Sequence, residues 1–190
     1  MKVDIFNSNK KYNIIYADPP WNFNSKELQK YKGKRFRPLE EVYQTEKTSD
    51  MKEWNIKRIT EKDCAIFMWT TDPHIKEAIE LMESWGFRYV SVAFIWSKTS
   101  KNGNLLWNLG AWTMKNCELC LFGTKGRMLK YKKSNSIKQL FCAERTVHSK
   151  KPDCVYGFIE ELFGEVSKIE LFARQSHSGW DCWGLEAPDD

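Results

Sequence analysis

Asp18-Pro19-Pro20-Trp21 closes an unbroken apolar run, "YNIIYA" at 12–17, and these four residues could do chemistry on a flat ring that carries an amine. Asp18 supplies a carboxylate acceptor. Pro19 and Pro20 fix φ at consecutive positions and remove two N–H donors, which leaves a stiff turn rich in carbonyl acceptors. Trp21 adds a broad aromatic face just beyond. An exocyclic amine conjugated to a ring is a poor nucleophile, because its lone pair is delocalised. Drawing one hydrogen onto Asp18 and the other onto the Pro19 carbonyl favours a tetrahedral nitrogen. Its lone pair can then be aimed at an electrophilic methyl group. The residues by themselves do not separate one aminated base from another.

Such a turn needs a rigid mount, and the pattern supplies one. Residues 12–17 read as a strand buried on both faces, and "CAIFMWTT" (64–71) as a second. Pro73 opens a helix whose Ile75, Ile79 and Met82 share a face, and Gly86 stops it. Residues 87–98 and 117–126 read as further strands, the first completing a β-helix-β unit with 64–71. Pro152 to Gly164 reads as a helix, and "KIELFAR" (168–174) as the last strand. Strands alternating with helices predict an α/β fold. In open α/β sheets ligands bind beyond the carboxyl ends of the strands, where Asp18 stands. Residues 22–50, 99–115 and 125–150 carry no clear element. Two of these loops are basic and bear aromatics. Lys32, Lys34, Arg35 and Arg37 in the first, and Lys130, Lys132 and Lys133 in the last, are candidate clamps for nucleic-acid phosphates.

The totals narrow the class. A chain of 190 residues suits a single domain, 1–190, and its net charge of +5 favours polyanionic partners. Nine Trp and eleven Phe are many for this size, and while some belong to the core, aromatic faces also stack on nucleobases. No stretch reaches the ~20 apolar residues of a membrane helix, and the first residues lack a secretory pattern. A cytoplasmic location is expected, in a bacterium or a phage-infected host. The six cysteines read as reduced and mostly buried. Cys117 and Cys120 spell C-x-x-C inside a strand, where positions three apart face opposite sides. No second pair completes a zinc set, so no metal is expected.

Taken in order, "ADPPW" (17–21), "YQT" (43–45), "FMWTT" (67–71), "FIWSKT" (94–99), "GAWTMKNCELCLFGTKG" (110–126), "HSKKPDCVYGFIEEL" (148–162) and "KIELFARQSHSGWDCWG" (168–184) resemble the DPPW-type N6-adenine methyltransferases. That family includes the catalytic subunit of the eukaryotic messenger-RNA adenosine methyltransferase and bacterial and phage DNA enzymes. The resemblance runs almost from end to end. It implies a Rossmann-like, S-adenosylmethionine-dependent methyltransferase fold in permuted order, with the catalytic motif before the cofactor motif. It implies catalytic roles for Asp18, Pro19, Pro20 and Trp21. For the methyl donor it implies Asp4, Ile5, Asp18, Lys151, Leu171, Phe172, Arg174, His177 and Glu186, and for the target base Trp21, Tyr43, Trp112 and Glu118. Leu185 departs from the pattern, since many relatives carry Asn there, and Glu186 is left to meet the ribose hydroxyls.

The implied activity is methyl transfer to adenine N6, in DNA before RNA, with a homodimer or a partner subunit as an added possibility. Two alternatives stand beside it. One keeps the chemistry and changes the acceptor, to RNA adenosine or to cytosine N4. The other is a non-catalytic nucleic-acid-binding partner with a methyltransferase fold. The intact Asp18–Trp21 motif and Lys151 weigh against that last reading.

Overall fold

The computed structural model describes residues 1–21, 47–110, 112–146 and 150–188. The apolar run forms strand β1 (Tyr12–Ala17), in which Ile14, Ile15 and Ala17 are fully buried. The elements after it are α1 (Thr48–Lys52), β2 (Thr60–Thr70), α2 (Ile75–Ser84), β3 (Arg88–Thr99), β4 (Cys117–Lys125), β5 (Leu140–Glu144), α3 (Cys154–Phe163), β6 (Lys168–Leu171) and β7 (Asp181–Trp183). Seven strands form one sheet in the order β5-β3-β4-β2-β1-β6-β7. Strand β1 lies parallel to β2 and β6, β6 to β7, and β3 to β5. Strand β4 runs antiparallel to both of its neighbours.

The period-2 alternation of a strand sends successive residues to opposite faces, and each face has its own core. Ile15 and Ala17 point to the side covered by α1 and α2, where Met51, Leu81, Met82 and Trp85 pack. Ile14 and Tyr16 point to the other side, against Val155, Ile159 and Phe163 of α3. Those three helical residues recur four apart and so form one stripe.

Several expectations change. Strand β2 begins at Thr60, four residues earlier than its apolar run, and β4 lies between β2 and β3, so the β-helix-β unit has a third strand inserted in it. Strand β6 stops at Leu171 because Phe172 takes a left-handed φ of 64°. Helix α1 and strand β5 form within stretches read as irregular, and β7 adds a parallel edge. Cys64, Cys120 and Cys182 are buried as expected, but Cys142 on the edge strand and Cys154 at the start of α3 are exposed. Among the described residues no helix is long and apolar enough to cross a membrane.

Candidate active site

The chain steps from β1 to β2 on one side of β1 and returns to pair β6 on the other, so the sheet changes direction at β1. This is the position at which open α/β sheets receive ligands. Ala17 pairs with both Met68 and Leu171, so the three parallel strands end almost level and Asp18 stands at their common edge. Antiparallel β4 begins where the others finish. Leu119 pairs with Thr70, which places Glu118 one residue beyond the end of β2. Glu118 lies opposite Trp96 of β3, two residues before Lys98.

Lys151, in the segment leading into α3, ties these groups together. Its Nζ lies 2.6 Å from Asp18 Oδ2 and 3.3 Å from Glu118 Oε2, and 5.7 Å from the centre of the Trp69 ring. Lys98 Nζ donates to the other oxygen of Glu118. The four side chains are only 13–23% exposed. Burial favours the neutral carboxyl of Asp18 and raises its pKa, with Lys151 opposing. Burial would also raise Glu118, but Lys151 and Lys98 together outweigh it and hold that carboxylate below its ordinary range. Burial would lower Lys151; the carboxylates of Asp18 and Glu118 reverse this and keep it charged. Asp18 Oδ1 accepts no hydrogen bond among the described residues.

The turn that follows is built by the prolines. Trp21 N–H donates to the Pro19 carbonyl at 2.9 Å across Pro20, whose ring fixes φ as a three-residue turn requires. One lone pair of that carbonyl remains for a ligand. Trp21 is not the open plate that its position in the sequence suggests. It is buried, its Nε1–H donates to the Trp69 carbonyl at 2.9 Å, and His74 stacks on it with ring centres 5.8 Å apart. The indole braces the turn from below.

On the β6 side, Phe172 holds a backbone conformation that a non-glycine side chain rarely adopts. Its ring stacks on Trp54, 5.6 Å between centres, and meets Trp183 edge-on. Leu171 and Ile5 are core residues, so only their backbones face outward. The Asp4 carboxylate closes its own turn on Phe6 N–H and the Asn7 side chain, and so has a structural task the motif did not suggest. Arg174 reaches Glu186 at 3.9 Å.

His177 stacks on Tyr156 of α3 at 4.0 Å with the ring planes nearly parallel, and Tyr156 Oη donates to Glu170 Oε2 at 2.8 Å. Burial, with Asp18 and Asp153 adding like charge, pushes the Glu170 carboxyl up to about 7, against Tyr156 and Lys151. A carboxyl raised above its unfolded value stabilises the fold below about pH 4.5, and that stabilisation is lost as pH rises through about 7. Glu170→Gln keeps an acceptor for Tyr156 without the charge. It is expected to hold about 3 kcal/mol more of its low-pH stability than wild type at pH 8. Urea unfolding at pH 5 and pH 8 measures the difference, and parallel curves for the two proteins would remove Glu170 as the cause.

Other expected residues lie apart from this edge. Trp112 is 97% exposed, carried beyond the sheet on a short ladder between Asn108 and Lys115, so its ring packs against little among the described residues. Lys130, Lys132 and Lys133 follow the end of β4, which pairs with the start of β2 at Cys64. At ~3.3 Å per residue that start is roughly 20 Å from the Asp18 edge, so these lysines stand apart from the carboxylate cluster. Lys130 is moreover paired with Asp63. Tyr43, Lys32, Lys34, Arg35 and Arg37 lie outside the described residues. The motifs passed over Lys98, His74, Trp54, Tyr156 and Glu170. A lone charge inside an apolar strand, as in "KIELF" and "FIWSKT", is the signal that marks Glu170 and Lys98.

Residues 12–186 match the MT-A70 family. The chain belongs to the MT-A70 family. Among its relatives in that family, the type II methyltransferase M.MunI of a Mycoplasma species is 38% identical, over 95% of this chain and 80% of that protein. The N(6)-adenosine-methyltransferase catalytic subunit METTL3 of Homo sapiens is 29% identical over 86% of the chain. An Arabidopsis thaliana N(6)-adenosine-methyltransferase, MT-A70-like, is 29% identical over 89%. The chain spans only 26% and 23% of those two proteins.

Proposed function

We propose that this protein transfers a methyl group from S-adenosylmethionine to the N6 amine of adenine in DNA. The observation that carries the reading is Asp18. It is a largely buried carboxylate at the point where the sheet changes direction, anchored through Oδ2 to Lys151 and with Oδ1 open. The likeness to a type II methyltransferase over nearly the whole chain supports DNA as the acceptor.

The residues at this edge fit a zwitterionic methyl donor. Asp18 offers an acceptor for its amino group, and Lys151 a charge for its carboxylate. Phe172, Arg174, His177 and Glu186 all follow β6 in the chain, and the adenosine part of the donor is assigned to that side of β1. When bound, S-adenosylmethionine supplies the electrophilic methyl carbon. The chain's own work is orientation and proton handling. Asp18 Oδ1 and the second lone pair of the Pro19 carbonyl accept the two N6 hydrogens, which turns the nitrogen lone pair out of the ring. Glu118, held ionised between Lys98 and Lys151, fixes the ammonium that anchors Asp18. With the donor bound, the N–C bond would form as the methyl C–S bond breaks to leave a neutral thioether, and Asp18, made more basic by burial, would receive the proton that N6 gives up.

Permuted motif order belongs to the same reading. Asp18 follows the first strand, while the residues proposed for the donor follow β6, its spatial neighbour, about 150 positions later. A cytoplasmic site of action and a single catalytic domain go with it.

The deciding assay uses donor labelled in its methyl group and three acceptors: duplex DNA, the same single strand, and RNA of matching sequence. Label recovered as N6-methyladenine, greatest in DNA, is the expected result. Label in RNA alone would move the substrate, and donor binding without transfer to any of the three would overturn the proposal.

A further inference from the structure

We propose that a groove at the end of the sheet remote from Asp18 is a docking site for an acidic, amphipathic helix of a partner protein. The groove arises where the cover supplied by α3 runs out. The early residues of β3 and the last of β4 leave the shelter of α3, and the segment after β4 arches over them. The space enclosed is about 560 Å³, within the size of sites that take anchoring side chains. Phe94, Phe122, Met128 and Phe163 form its floor, and Val90 and Leu129 stand on its rim 47% and 80% exposed.

The walls are fixed in place. Arg127 N–H donates to Asp63 at 2.7 Å, Lys133 N–H to the Leu162 carbonyl at 2.8 Å, and Gln139 Nε2 to the Val92 carbonyl at 2.7 Å. The arch is therefore pinned to β2, to α3 and to β3, and a ligand need not order it first.

Charge and ring geometry select the occupant. Arg88, Arg127 and Lys132 line the groove, and among the described residues no carboxylate does. None of the three side chains has an ion pair among the described residues. A ligand with carboxylates flanking an apolar stripe meets both features. Nucleic acid fits less well, since bases need free aromatic faces and these rings are spent on one another. Phe67 stacks on Phe94 at 5.7 Å and meets Phe122 at 5.0 Å, and Phe122 stacks on Phe163 at 6.4 Å. A second copy of a chain with net charge +5 would set cations against cations.

The test is fluorescence anisotropy of the whole protein with a labelled 18-residue helical peptide bearing Leu and Phe on one face and Glu on the other. The expected result is saturable binding that falls at least about tenfold for a Lys-for-Glu peptide, for Val90→Asp with Leu129→Asp, and for Arg88→Gln with Arg127→Gln. The Val90 and Leu129 changes lie on the surface, and methyl transfer to DNA should be unchanged in that protein, showing that it is folded. Absent binding, or binding indifferent to these substitutions, overturns the proposal. So does displacement of the peptide by a 20-nucleotide single strand in a manner that needs Arg88 and Arg127, which would assign the groove to nucleic acid.

Discussion

Asp18→Asn is expected to lower kcat/KM for adenine methylation by about 10²- to 10³-fold and to leave the urea midpoint unchanged or raised. The loss follows from one atom. Asn can still offer a carbonyl to Lys151, but its remaining group is a donor, which repels the N6 amine and cannot take its proton. The stability follows from burial. The fold holds Asp18 charged against a desolvation cost that exceeds what Lys151 returns, so removing the charge relieves it. Single-turnover transfer and urea unfolding of the same preparation check both halves. A fall of less than about tenfold would take Asp18 out of the reaction, and a large loss of stability would make it a structural residue.

Lys151→Met is expected to do the opposite to the fold and the same to the activity. Without the ammonium, Asp18 and Glu118 face each other largely buried, and only Lys98 is left to answer Glu118. Removing one partner of a buried ionic cluster costs about 3–5 kcal/mol, or roughly 10 °C in melting temperature for a domain of this size. Calorimetric titration with S-adenosylmethionine should show no binding. Combining Lys151→Met with Asp18→Asn removes one of the stranded charges and should restore more than half of the lost stability. A double variant no more stable than Lys151→Met alone would mean that the two groups do not interact in the way their 2.6 Å separation indicates.

The parts of this site that the sequence announces are those that local chemistry determines. An apolar run cut off by Asp-Pro-Pro can hardly be other than a buried strand with a rigid acceptor turn at its tip. Pro152 marks the helix start behind Lys151 in the same way. What stayed hidden depends on partners distant in the chain. Trp21 looks like a free aromatic plate until the Trp69 carbonyl and His74 close on it. Lys98 and Glu170 are marked in the sequence as charges within apolar strands, but only the sheet shows that Lys98 meets Glu118 and Glu170 meets Tyr156. The lysines at 130–133 were legible as a basic cluster but not in their place. Had β4 run parallel to its neighbours, they would have emerged beside Asp18; its reversal carries them to the far end. Strand β5 is too short, at five residues, to stand out between polar segments.

The position of β1 between β2 and β6 also sets when this protein can finish folding. During synthesis β1 leaves the ribosome before its partners, and β2 can pair with one of its edges some fifty residues later. Its other edge waits for residues 168–171, about 150 positions further on. While those intervening residues are made, an apolar strand therefore has an open side, the condition under which nascent chains aggregate or engage chaperones. The same late strand leads directly into Phe172 and Arg174. The pairing that closes the second edge of β1 is thus also the one that assembles the proposed donor site. A nascent chain stalled short of it would carry Asp18 and Lys151 but could not yet have a working pocket.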